Sequence, residues 1–518
     1  MTNEITETNQ NAEKQFQRIY NKAFYYQAND QIDQAISHYK QALEYNPTHL
    51  ATLQVLAYLL HEAGEIKDAK IYYSRALSVH PLSHSLQLAI ASCHEKLDEL
   101  EQAKVHYEKA IDLRQDYAVA LNNYGNICRK LGFIDLAEEN LLKALRLKIS
   151  VETLANLGLL MYEKRQYTLA ESFYDHALRL EPDNTQVKWN KSLLYLSQKR
   201  FSQGWKLYDT GLLAGTRPKQ VTPLSLSDKD YCIDYFRNKS VYIHSEQGIG
   251  DEVMYASCFQ EVIDVAKTCT IECDDRIAPM FQRSFKNINI VAKSDTLFND
   301  ISNTKPDADV HVSVASLPRF LRHKIEDFPI QHSYLNAYDR AKQQWKNRYE
   351  QLGKGLKVGI SWRGGCNEEH RKRSNTLEQW SNIIATPGCH FINLQYGSVE
   401  EELKTAAREI HEWDDTDHFH NIEQLAAQIA SLDLVITVSN VTAHVAGALG
   451  VPVWVMLPYS PNWRWFEGNN PSLWYKCAKL FRQQGHGDWQ SVTIAIETEL
   501  RNVIIKTQNN YQPVDIIY

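Results

Sequence analysis

The sequence predicts a chain of class α + α/β, in which a solenoid of paired helices precedes two parallel-sheet α/β domains. Two observations carry this. Small residues recur every 34 residues, with one step of 33, along the first 214 positions. Beyond about residue 235 the pattern changes to short β-rich runs alternating with helical stretches.

The repeat comes first. Ala35, Ala69, Ala103, Ala137, Ala170 and Gly204 form one series. Ala42, Ala76, Ala110, Ala144, Ala177 and Gly211 form a second, and Ala23, Ala57, Ala91, Gly125, Gly158 and Ser192 a third. Tyrosines stand at 39, 73, 107 and 174, and Pro47, Pro81 and Pro182 close repeats. A unit of this length is two helices, with small residues where they cross closely; this is the signature of tetratricopeptide repeats. The spacing predicts six repeats over residues 13–214, after a flexible polar tail at 1–12. The glycines replacing both alanine series in the sixth repeat suit a degenerate capping unit. Asn21, Asn123, Asn156 and Asn190 share one repeat position. An amide there can bond both donors and acceptors of an extended peptide. It is equally a tolerated polar residue on a solvated helix face.

Gly215, Pro218 and Pro223 mark a linker at 215–235. The runs SVYIHS (240–245), CTIEC (269–273), INIV (288–291) and VHVSV (310–314) then read as strands. LKVGISW (356–362), FINLQ (391–395), LDLVITV (432–438) and VPVWVML (451–457) follow in the same way. Strands alternating with helices imply parallel sheets covered on both faces. Two such halves, 236–345 and 346–518, predict two Rossmann-like domains facing across a cleft, with ligands at the carboxyl ends of the strands.

Bulk properties narrow the class. The 518 residues carry a net charge of -7, against a dedicated nucleic-acid binder. The polar, acidic start has no signal-peptide pattern. The apolar stretch 432–457 is interrupted by Ser439, Asn440, His444, two glycines and Pro452, so it cannot span a membrane. Nine cysteines without a CxxC pair read as reduced thiols in a cytoplasmic protein. There is no GxSxG, HExxH or Walker A sequence, which leaves hydrolase and P-loop readings without support.

Four constellations could carry chemistry. In HSEQGIGDEV (244–253) a strand ends in a loop with Gly248 and Gly250, and a helix starts near Asp251. Asp251 is either a general base on a cleft floor or a helix cap. In 434–457, Ser439, Asn440, Thr442 and His444 cluster where a strand meets a helix, a site suited to a diphosphate. After the strand ending at Trp362 come Arg363, two glycines, and the cations Arg371, Lys372 and Arg373. They form a solvated surface or, for one or two of them, a phosphate clamp. HEWDDTDHFH (411–420) holds Asp415-x-Asp417 with His411, His418 and His420, and Asp307-x-Asp309 is a second such pair. Both read as exposed loops, and no metal is expected.

Residues from about 240 to 490 resemble the heptosyltransferase-like glycosyltransferases of the GT-B fold, particularly the bacterial branch fused to tetratricopeptide repeats. The stretches that carry the resemblance are HSEQGIGDEVMYASCF, LKVGISWRGG, INLQYG, LDLVITVSNVTAHVAGALGVPVWVMLP, NWRWF and LFRQQGHGDW. The plan of repeats followed by a GT-B unit is also similar to that of O-linked N-acetylglucosamine transferases. The resemblance implies metal-independent transfer of a sugar from a nucleotide-sugar, which is a substrate rather than a cofactor. It implies that Asp251 is the base and that Arg373 is the nearest match to a cation holding donor phosphate. Gln395 lines the nucleotide pocket by the same analogy. His444 is kept, but Ser439 and Asn440 replace the aspartate and threonine of the family motif. The implied donor set is Gly250, Arg363, Arg373, Gln395, Ser439, Asn440, Thr442 and His444. The implied acceptor is a protein, flagellin for example, held by Asn123, Asn156 and Asn190. Two alternatives stay open: transfer to a glycan or lipopolysaccharide precursor, and a non-catalytic scaffold with a degenerate GT-B unit.

Overall fold

The computed structural model describes residues 2–217, 223–293, 307–328, 332–365, 372–468 and 472–508. The repeats are the helix pairs α1 (Thr2–Ala28) and α2 (Ile32–Tyr45), α3 (Leu50–Glu62) and α4 (Ile66–Val79), α5 (His84–Lys96) and α6 (Leu100–Leu113). They continue as α7 (Ala118–Lys130) and α8 (Ile134–Leu147), α9 (Val151–Glu163) and α10 (Tyr167–Leu180), α11 (Thr185–Ser197) and α12 (Phe201–Tyr208). The alanines of the first two series are fully buried. A larger side chain there would hold the helices apart, which is why the period is written in alanine.

Two expectations change. The stretch expected as a flexible tail is the start of α1, which begins at Thr2; it holds no glycine or proline, and its Glu, Gln and Ala residues favour helix. The segment expected as a linker is packed. Arg217 and Tyr231 within it are buried, although residues 218–222 lie outside the described set. The glycines of the sixth repeat also have a physical reason other than degeneracy. A Cβ on Gly211 would lie 2.5 Å from the Trp189 ring, so the glycine makes room for an indole on α11.

By compactness the chain forms two units that do not follow the repeat boundary. The first holds Met1–Met161 with Asp175–Leu180, and the second holds Tyr162–Tyr174 with Glu181–Tyr518. The division falls inside the fifth repeat.

Within the second unit are two parallel sheets. One contains β1 (Ser240–His244), β2 (Thr268–Asp274), β3 (Ile288–Lys293) and β4 (Val310–Ser313), in the order β3-β2-β1-β4. The other contains β5 (Leu356–Ser361), β6 (Cys389–Asn393), β7 (Ile410–His411), β8 (Leu434–Val438), β9 (Val453–Leu457) and β10 (Ala478–Arg482), in the order β10-β9-β8-β5-β6-β7. Strands β5, β8 and β9 are buried almost throughout, as expected for a sheet covered on both faces.

The sixth repeat shares this unit's core. Phe201, Trp205 and Tyr208 pack with Trp463, Phe466 and residues of the first sheet, and the Trp205 indole donates to the Arg322 carbonyl at 2.8 Å. A buried ionic staple adds to this. Arg217 is fully buried and holds both oxygens of Glu246, just after β1, at 2.9 and 3.0 Å. It also donates to Asp209, just after α12, at 3.0 Å. Removing one member would strand a buried charge, a cost of about 3–5 kcal/mol.

Candidate functional site

Open parallel sheets bind ligands where the strand order reverses. In the first sheet that point lies beyond β1, whose neighbours β2 and β4 lead in opposite directions. In the second it lies between β5 and β8. The loops at both points line one cleft of about 620 Å³. The loop after β1 gives Gln247, Gly248, Gly250 and Asp251, and the turn after β8 gives Ser439, Asn440, Val441 and His444. Gly365, Arg373, Tyr396, Asn462, Trp463 and Arg464 complete the polar wall. Trp189 and Leu193 of α11, with Tyr208, form an apolar wall.

Asp251 sits in the first turn of the helix Ile249–Tyr255, whose N-cap is Gly248. Its carboxylate meets Arg464 at 2.6 Å, and Arg464 also bonds Asn462 at 2.7 Å and Gln247 at 2.5 Å. The partner of the expected base is therefore an arginine outside the expected set, within the stretch NWRWF. Glu246, two residues before Gly248, turns away to Arg217.

Gly250 sets how closely the two switch-point helices approach. A Cβ there would stand 3.0 Å from Cδ2 of His444, on the helix Val441–Leu449. His444 is buried, its ring stacks on Trp465 with centroids 5.5 Å apart, and Nδ1 bonds the Tyr475 hydroxyl at 2.8 Å. Burial, reinforced by the charges of Arg464 and Arg373, pushes its pKa down to about 3, so the imidazole is neutral at physiological pH. Toward a ligand the neutral ring is a hydrogen-bonding group rather than a cation for phosphate.

The remaining expected residues divide by position. Arg373 and Ser439 line the cleft, and Ser439 Oγ accepts from the Trp465 indole at 2.7 Å. Asn440 lines it too, but its amide is spent internally. Oδ1 caps the helix at Ala443 N (3.3 Å), and Nδ2 donates to Ser361 Oγ (2.8 Å) and the Arg363 carbonyl (3.0 Å). Thr442 is fully buried outside the cleft lining. Gln395 Oε1 accepts from the backbone of Trp362 and Arg363 at 2.9 and 2.7 Å, fixing the turn after β5. Arg363 pairs with Glu402 at 2.9 Å. Arg363 and Gln395 instead border a second cavity of about 1100 Å³, which shares Gly365 and Tyr396 with the first and includes Phe419 and Glu412. Arg371 lies outside the described residues.

Both carboxylates of the expected DxD loop are engaged. Asp415 holds Arg348 at 2.9 and 2.5 Å, and Asp417 accepts from the amides of Phe419 and His420. Asp309 accepts from Ser240 N and Oγ at 2.8 Å. Among the described residues no cluster of three or more His, Cys, Asp or Glu side chains is placed to hold a metal. Nor is any helix among them long and apolar enough to cross a membrane.

In the first unit Asn156 donates to Asn122 at 3.0 Å and Asn122 to Asn123 at 3.1 Å, an amide ladder between neighbouring repeats. In the second unit Asn190 accepts from Gln186 at 3.0 Å.

Comparison with known proteins bears on the repeats. Residues 26–93, and again 84–117 and 151–184, match models of the tetratricopeptide repeat. The chain is 28% identical over 338 residues to Protein FlbA of Caulobacter vibrioides, a stretch that covers 62% of this chain and 56% of that protein. The chain thus spans about half the length of this relative. Among solved structures, YrrB, a TPR protein with an unusual peptide-binding site, is 19% identical with a TM-score of 0.31, covering 34% of this chain and 91% of its own. A thermophilic TPR protein of Thermus thermophilus is 21% identical with a TM-score of 0.30, covering 35% and 99%.

Proposed function

We propose that the chain is a glycosyltransferase of GT-B type that moves a sugar from a nucleotide-sugar to a hydroxyl of a protein acceptor engaged by the repeats. One observation carries the reading. The switch-point loops of two parallel sheets, joined by the segment after β9, bring Asp251, Arg373, His444 and Arg464 to a single cleft. The adjoining cavity, with Tyr396 and Phe419 on its walls, has room for the nucleoside. The eight described cysteines are all free, which suits a reducing cytoplasm.

The chemistry follows from the charges. The donor diphosphate seats against Arg373 and competes with Asp251 for Arg464, so donor binding frees the carboxylate. The acceptor oxygen attacks the anomeric carbon and its proton passes to Asp251. The bond from that carbon to the diphosphate breaks, and the two arginines hold the leaving group. The neutral His444 imidazole bonds a sugar hydroxyl and orients the sugar. Repeats suit a protein acceptor, and the resemblance noted above points to one of flagellin type. The engaged state of Asp251 favours a second reading, a sugar-nucleotide-binding scaffold without turnover.

Asp251→Asn separates the two readings. Transfer should fall by about 10²–10⁴-fold, the range of a lost general base, while the donor's thermal shift persists. Transfer is read as a mass increase on a co-expressed acceptor. Turnover of the variant at the wild-type rate would remove Asp251 as base. A wild-type chain that neither binds nor hydrolyses any donor in a nucleotide-sugar panel would refute the enzyme.

A further inference from the structure

The two arginines of the cleft stand on separate segments after β5 and β9, and both segments are gripped by one turn of the repeat array. The turn joins α9 to α10 in the fifth repeat. Glu163 accepts from Lys372, the neighbour of Arg373, at 2.7 Å. Arg165 and Tyr167 both bond the carboxylate of Glu467, three residues beyond Arg464. The Arg165 guanidinium also stacks 5.2 Å over the Tyr459 ring. The backbone N of Glu467 donates to the Ser197 carbonyl at the end of α11, at 2.7 Å.

The gripped segment needs holding. Phe466 has φ +50° and ψ 172°, a region in which a bulky side chain is strained. Such a conformation persists only where its surroundings over-determine it, and it clusters at functional sites. Here Arg482 donates to the carbonyls of Trp465 and Phe466 at 2.6 and 2.8 Å, while Glu467 on the other side is tied to the repeat. Burial raises the Glu467 carboxyl, but the bonds from Tyr167 and Arg165 outweigh it and hold the group below its usual range. The brace is therefore charged at physiological pH. No brace residue lines the cleft.

We propose that the turn of the fifth repeat is a positioning element for the phosphate site, with Glu163, Arg165 and Tyr167 fixing Arg373 and Arg464 through Lys372 and Glu467. The inference rests on the reading of the cleft as a diphosphate site. It makes the end of the repeat array and the donor site one thermodynamic unit, so that a partner loosening this turn must weaken donor binding, and donor binding must stiffen the turn by the same factor.

The test uses the full-length chain and inorganic pyrophosphate, with affinity measured by calorimetry and folding by thermal melts. Glu467→Gln, Tyr167→Phe and Lys372→Glu should each weaken pyrophosphate binding, roughly tenfold for the charge changes, within the usual span of coupled sites. The charge swap Glu163→Lys with Lys372→Glu should restore affinity, because it rebuilds the brace while leaving a glutamate beside Arg373. A merely structural contact would lower the melting temperature and leave affinity alone. Wild-type binding that weakens in Arg373→Ala but persists in every brace variant would overturn the inference while keeping the phosphate site. Loss in Lys372→Glu that the swap fails to restore would also overturn it. A wild-type chain that binds no pyrophosphate would remove the phosphate site and the inference together. Tyr167→Phe deletes a single hydroxyl and keeps the test decisive if Glu467→Gln does not fold.

Discussion

Glu252→Gln should stabilise the second unit at alkaline pH and leave it unchanged in acid. Glu252 follows Asp251 on the helix Ile249–Tyr255, is buried, and accepts from the Asp274 amide at 3.0 Å. Burial pushes its pKa from 4.5 up to about 8, and the carboxylates of Asp274, Glu272 and Asp251 add to the rise against the Asp274 amide. The folded chain thus holds a proton that the unfolded chain releases at pH 4.5. Between these values the native state binds more protons than the unfolded state, so stability falls as pH rises. The interval is 8 − 4.5 = 3.5 pH units. At about 1.36 kcal/mol per unit it corresponds to a loss of about 5 kcal/mol, complete by pH 9. Glutamine keeps an acceptor for the Asp274 amide and carries no charge at any pH. All 11 tryptophans lie at or beyond residue 189, so indole fluorescence in urea follows the second unit alone. The variant should match the wild type near pH 4.5 and exceed it by several kcal/mol at pH 9. Equal stabilities at pH 9 would refute the account and place the native pKa of Glu252 close to its unfolded value.

Gly250→Ala should lower the melting temperature by the equivalent of about 1–3 kcal/mol, because its Cβ would press on His444 at 3.0 Å. Gly248→Ala, with nothing within 4 Å of its Cβ, is the matched control and should be close to neutral; equal effects of the two would show that the helices do not meet at Gly250. Transfer activity should survive excess chelator, since Asp415 is held by Arg348 and Asp417 closes a turn. Loss of transfer restored by manganese or magnesium would reassign that loop as a metal site.

What the sequence disclosed follows from which forces are local. The period of 34 placed the repeats because each helix crossing needs its own small residue, and those residues are buried in phase. Strands β1 to β6, β8 and β9 were legible as apolar runs. Strand β7 has only two residues, too few to show a period, and β10 reads AKLFR, with two charges at the edge of its sheet. At the site, Gly250, Asp251, Ser439 and His444 were visible because glycines and polar residues stood at strand ends. Arg464 was not, because nothing within NWRWF says that its guanidinium reaches a carboxylate 213 positions earlier (464 − 251). The pattern of the sequence offers Gln395 and Asn440 as ligand groups, and their amides organise the turns after β5 and β8. A single sequence cannot distinguish an amide that meets a ligand from one that satisfies buried backbone.

The repeats are not an adaptor that can be detached at the linker. A fragment beginning near residue 215 would lose Phe201, Trp205 and Tyr208 from the core, and with them an apolar wall of the cleft. It would also lose Asp209, leaving Arg217 with one carboxylate fewer in a fully buried place. Burial of large apolar side chains contributes about 1.5–3 kcal/mol each, so these losses are comparable with the whole stability of an ordinary domain, about 5–15 kcal/mol. The compact unit begins at Tyr162, and that boundary keeps Trp189, Leu193 and the brace on Glu467 together with the arginines they support. The repeat array therefore does two physically different things along its length. Its first four repeats, with most of α9 and the end of α10, form a separate unit that carries the half-buried asparagine ladder. Its last turns are structural parts of the cleft itself.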